Sequence, residues 1–77
     1  MPYGCEVRIE GMLAAQWGPF ENILAATLAM ANSRYVAELP QAQFVVVALA
    51  DSRDVCFMDS AGLLVLLELE RERISRH

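Results

Sequence analysis

Seventy-seven residues with 56% hydrophobic side chains and a formal net charge of −4 describe one small domain, near the size at which a single core is only just sufficient. The acidic balance argues against nucleic acid, because binding a phosphate backbone needs a basic face, and it points to a protein partner. No charged start precedes a long apolar run, and the apolar stretch around Leu63–Leu67 is too short to cross a bilayer, so a soluble cytoplasmic protein with no direct membrane insertion is expected.

Cys5-Glu6-Val7-Arg8-Ile9-Glu10 alternates apolar with charged residues, the period-two signal of a half-exposed strand. Gly11 permits a turn or bulge, after which Met12–Ala15 continues as a second strand. Trp17-Gly18-Pro19 reads as the opening of a first helix, since proline suits the first helical position and Glu21 follows on the favourable side of the dipole. Phe20, Leu24, Thr27, Leu28, Ala31 and Tyr35 recur at helical spacing and predict the sheet-covering face of a helix over 20–38. Asn32-Ser33 is its weak point, and Pro40 ends the segment.

Phe44-Val45-Val46-Val47-Ala48-Leu49-Ala50 is a buried strand by composition: apolar throughout and β-branched in the middle. A polar turn, Ala50–Asp54, leads into Val55-Cys56-Phe57-Met58, which delivers the chain to Asp59-Ser60 and a leucine-rich helix over 60–74. Asp59 is the candidate N-cap. Glu68/Arg71 and Glu70/Arg73 pair at i,i+3 along a solvated end of this helix. Cys5 and Cys56 read as buried free thiols of a reducing compartment, a single bridge between them being the alternative.

A strand aimed at the N-terminus of a helix brings the Ser60 hydroxyl to amides and a dipole that favour negative charge. Ser60 is therefore a candidate phosphoacceptor or partner contact, and an ordinary capping serine is the plain alternative. Asp51, Asp54 and Asp59 lack metal-loop spacing and read as solvated turn carboxylates, so no metal is expected. Cys56 with His77 would make a nucleophile and a base, but His77, the one histidine, is the last residue of the sequence. The glycines are scattered, without a phosphate loop, and no cofactor and no enzyme activity are expected.

Phe57-Met58-Asp59-Ser60-Ala61-Gly62-Leu63, behind a valine-rich strand, resembles the signature of the STAS domain. That family includes the anti-sigma factor antagonists, the cytoplasmic tails of sulfate permeases and a small subunit of bacterial lipid-transport ABC complexes. The resemblance implies an α/β fold: a small mixed sheet flanked by helices, with residues 1–77 forming a single STAS-like domain that lacks the family's C-terminal strand-helix portion. It implies a signalling module that acts through protein–protein interaction, with Ser60 as the residue phosphorylated by an anti-sigma factor kinase. It further implies that Asp59, Ser60, Leu63 and Leu64 form the partner-binding surface. Ala61 stands where the commonest antagonist form has a second hydroxyl, which brings the motif nearer to the lipid-transport subunits. Transport regulation, with a transporter component as partner, is the alternative. A missing strand would leave the Val45–Leu49 strand open on one side, and the expectation is a chain that pairs with a second copy or belongs to a longer protein.

Overall fold

The computed structural model describes residues 2–75, in the order β1 (Tyr3–Ile9), β2 (Met12–Phe20), α1 (Ile23–Ala31), α2 (Tyr35–Glu38), β3 (Gln43–Ala48), β4 (Arg53–Met58) and α3 (Ser60–Ser75). The class is α/β, as expected: one small sheet, ordered β2-β1-β3-β4, with helices packed against it. All three of its ladders run antiparallel.

β1 and β2 form a hairpin closed by two residues, with Ile9 opposite Met12. Glu10 and Gly11 both take positive φ, 52° and 80°, the conformation a two-residue hairpin turn requires. β2 then runs on through Trp17-Gly18-Pro19 to Phe20, where a helix opening was expected. A sheet margin tolerates proline, whose missing N–H costs no ladder bond on the outer side. Gly18 sits at φ 143°, and a Cβ there would lie 3.2 Å from both the Gly4 Cα and the Tyr3 carbonyl oxygen, so only glycine fits this crossing.

The helix start belongs to Asn22, whose extended backbone and side chain form the cap: Oδ1 accepts from the Ala25 amide at 2.8 Å. The single helix expected over 20–38 is thus corrected at both ends of its first half. It starts at Ile23 and breaks after Ala31, before the short α2. At the break, Asn32 Nδ2 donates to the Leu28 carbonyl at 2.8 Å and Ser33 Oγ donates to the Met30 carbonyl at 2.7 Å. Short polar side chains compete with the helix ladder in this way. The buried face of α1 carries Ala26, Thr27, Met30 and Ala31, while Leu24 is 61% exposed. The expected face is therefore rotated, since close packing on the sheet is achieved by alanines rather than by the larger leucines.

β3 lies between β1 and β4 and is buried from Phe44 to Ala48. The expected open side of this strand does not exist. Val55–Met58, read from sequence as the apolar run leading to the helix after a polar turn over 50–54, joins Arg53 and Asp54 in β4 and folds back on β3, with Phe44 opposite Met58 and Val46 opposite Cys56. The free margins are β2 and β4 instead. Phe44 and Val46 of β3 and Cys5 and Val7 of β1 face the helices, meeting Met30, Ala31, Val36 and Leu63 in one apolar cluster. Cys5 and Cys56 both neighbour Val46, from opposite sides. Two strand spacings of about 4.8 Å separate them, beyond disulfide reach, and both are free. Burial pushes the Cys5 thiol up to about 11, and its Sγ donates to the Ala26 carbonyl at 3.1 Å.

The opposite face of the sheet carries a charged fork. Arg8 of β1 reaches across β3 to Asp54 of β4, with Nη1 and Nη2 each 2.8 Å from a carboxylate oxygen. The same guanidinium donates to Glu6 Oε1 from Nε at 3.0 Å and from Nη2 at 2.8 Å. Val45 and Val47 beneath this layer are buried although no helix covers them.

Two outcomes follow from this packing. Phe44→Ala removes the largest fully buried side chain and costs about 3–5 kcal/mol, enough to unfold a domain of ordinary stability, as read by loss of the cooperative urea transition. The hydrogen bonds from Arg8 hold the Asp54 carboxyl below its usual value in the folded state. The stabilisation is therefore present above the unfolded carboxylate value, near pH 4, and is lost as pH falls toward the folded one. Urea midpoints measured from pH 7 down to pH 3 should fall more steeply for the wild type than for Asp54→Asn.

Candidate functional site

The candidate site is the junction of three segments: the end of β4, the start of α3, and the 39–42 link between α2 and β3. β4 ends at Met58 because Asp59 turns the chain into the helix. Asp59 Oδ1 accepts from the Gly62 amide at 2.7 Å, and the Asp59 carbonyl accepts from the Leu63 amide at 3.1 Å. This is an N-cap, as the sequence predicts. Gly62 is part of it by size, since a Cβ there would lie 3.2 Å from Asp59 Oδ1 and 3.3 Å from Met58 Cε.

Ser60 is the first residue of α3 and is half-buried. It is not the cap; its hydroxyl donates to the Pro40 carbonyl at 2.9 Å. One hydrogen bond thus ties the helix start to a segment twenty residues earlier. With Gly62 held by Asp59, the amides of Ser60 and Ala61 are the first-turn donors that helix geometry leaves unbonded. Beside them, Gln41, Ala42, Gln43, Phe57, Met58 and Asp59 line a shallow hollow of about 340 Å³.

Of the expected contact residues, Asp59 and Leu64 are exposed, Leu64 by 52%, and Ser60 is partly accessible. Leu63 is a correction. It is fully buried in the core cluster, because the first turn of α3 must point one leucine at the sheet to anchor the helix. Phe57, 54% exposed, joins the accessible group instead. Its orientation is legible in retrospect from the alternation Cys56-Phe57-Met58, in which the first and third face the helices. Pro40 carried no signal, since nothing local marks a carbonyl acceptor.

The three aspartates do not converge. Asp54 is held by Arg8, Asp59 caps α3, and Asp51 accepts from the Arg53 amide at 3.3 Å. Among the described residues no group of three His, Cys, Asp or Glu could hold a metal ion. Cys56 is half-buried on the helix side of β4, and His77, the suggested base, lies outside the described residues. Of the two ion pairs expected along α3, Arg73 Nε donates to Glu70 Oε2 at 3.2 Å. Among the described residues no helix is long and apolar enough to cross a membrane.

The capping geometry predicts that Asp59→Ala lowers stability by about 0.5–2 kcal/mol, while Asp59→Asn retains most of it. For a domain of this size each kcal/mol corresponds to roughly 4–8 °C in the melting temperature, which differential scanning calorimetry resolves. Comparison with protein-family models, curated proteins and solved structures finds no match to this chain.

Proposed function

We propose that this chain is a non-enzymatic interaction module resembling the anti-sigma factor antagonists of the STAS family, acting in the cytoplasm, with the start of α3 as its regulated contact surface. The observation that carries the reading is the Ser60 hydroxyl at the first position of α3, hydrogen-bonded to Pro40, with exposed Asp59 before it and exposed Leu64 one turn further along the helix. An exposed apolar side chain beside a capped helix end has the composition of a contact surface, where the bulky group supplies area and a polar group supplies orientation.

The same hydroxyl is suited to regulation. A phosphoserine oxygen has no proton to donate, so the bond to Pro40 would be lost on phosphorylation. The added charge of about −1.5 to −2 would lie next to the Asp59 carboxylate, while the free amides of the first turn would hold it locally. The net result is a changed surface on an unchanged core, which is what a reversible switch between partners needs. A transporter-accessory role would use the same surface with a different partner, and the motif Asp59-Ser60-Ala61-Gly62-Leu63 keeps that reading as the second one.

The test is incubation with ATP and the kinase-like product of an adjoining gene, followed by mass spectrometry and pull-down. The expected result is a single phosphate on Ser60, absent in Ser60→Ala. Capture should be lost in both Ser60→Asp and Leu64→Glu, each with an unchanged circular dichroism spectrum. Undiminished capture of the two variants would put the interface elsewhere. An adjoining permease or ATPase that captures the chain without modifying it would favour the transporter role.

A further inference from the structure

The carbonyl that accepts the Ser60 hydroxyl belongs to a tight turn. The Ala42 amide donates to the Leu39 carbonyl at 3.0 Å, which closes Leu39-Pro40-Gln41-Ala42 as a hydrogen-bonded β-turn. Among the described residues, positive φ outside glycine is confined to Glu10 and Ser52, so Gln41, third in the turn, makes it type I. Type II differs in the central peptide, here Pro40–Gln41, which is turned over so that its carbonyl and N–H exchange sides. Proline at the second position suits both types. Pro40 and Gln41 are exposed, while Ala42 lies in the core and Leu39 packs against it. The central peptide can therefore turn between anchors that stay in place.

We propose that phosphorylation of Ser60 turns the Pro40–Gln41 peptide over, from type I to type II, and recruits the Gln41 amide as a ligand of the phosphate. The inference rests on Ser60 being the phosphoacceptor of the proposed switch. Transfer of the γ-phosphoryl group from ATP forms a P–O bond at Oγ as the bond to ADP breaks, and the hydroxyl proton passes to a base of the kinase. The Pro40 carbonyl then loses its donor and faces oxygens that carry about −1.5 to −2 charges. Carbonyl oxygen against phosphate oxygen is repulsive, whereas an amide that donates to an anion makes a strong hydrogen bond. Turning one peptide over exchanges the first for the second. The opposing cost is local, since type II puts Gln41 at positive φ, which a residue with a Cβ disfavours. That cost holds the unmodified chain in type I and makes the flip conditional on the phosphate. Gln41 and Ala42 also border the hollow beside Asp59, so the flip reshapes the contact surface in a segment twenty residues before the modified serine.

The test is nuclear magnetic resonance on the full chain synthesised with phosphoserine at position 60, which needs no kinase. In type II the Pro40 Hα and the Gln41 amide proton lie close together. A strong Overhauser effect between them is expected in the phosphorylated chain, and a weak one in the unmodified chain. The Gln41 amide should exchange with solvent at least about tenfold more slowly once it binds the phosphate. Ser60→Ala removes the tether without adding charge and should stay in type I, which makes the flip a response to the phosphate. In the phosphorylated chain Gln41→Gly should strengthen the type II signal and Gln41→Val should suppress it. A phosphoserine chain that keeps the weak Overhauser effect and a fast-exchanging Gln41 amide would overturn the proposal, leaving Ser60 as a phosphoacceptor that acts by charge alone. Failure of the kinase to modify Ser60 would instead remove the switch itself, whatever the synthetic phosphoserine does to the turn.

Discussion

The burial of β3 is the constraint on which the rest of this small fold depends. Phe44–Ala48 contains no polar side chain, so each of its backbone groups needs a partner strand and each face needs a cover. The two neighbours come from opposite ends of the chain: β1 from the N-terminal hairpin and β4 from the segment just before α3. The two covers differ in chemistry. On one face, Met30, Ala31, Val36 and Leu63 supply apolar surface from three helices. On the other, Arg8 stretches over the strand to Asp54, so that a salt-bridged side chain and its methylene stem do what a helix does on the far side.

This economy explains where the chain is left exposed. A core this size can use only one fully buried leucine from α3, and Leu64, Val65 and Leu69 are turned to solvent. The helices gather on a single face, so no second layer shields the margins of the sheet. Exposed apolar side chains are therefore spread over several elements, among them Met12 and Leu13 on β2, Ile23 and Leu24 on α1, Phe57 on β4 and Leu64 to Ile74 along α3.

At the start of α3 the division of labour between neighbouring polar residues is set by helix geometry. Asp59, outside the helix, satisfies the Gly62 amide. Ser60, one residue further, points away from the helix end and is free to bind the Pro40 carbonyl. Capping and tethering are thus separate tasks carried by adjacent residues, and a change at Ser60 leaves the cap in place.

Local periodicity and composition determined a good part of this protein. The alternation in Cys5–Glu10, the continuous apolar run at Phe44–Ala48, the cap at Asp59 and the helix after it are set by interactions within a few residues, and all are legible without a fold. Pro19 and Leu24 misled because both were judged against a helix that had not yet been placed. Proline is equally at home at a helix start and on a sheet margin, and the buried face of an alanine-rich helix is chosen by what it packs on. Only the tertiary structure decided that Arg53–Met58 pairs back onto β3, that Ser60 binds Pro40, and that Arg8 spans the sheet to Asp54. Each joins residues brought together by chain reversal or by sheet order, and separations of twenty or forty-six residues leave no periodic trace in a sequence.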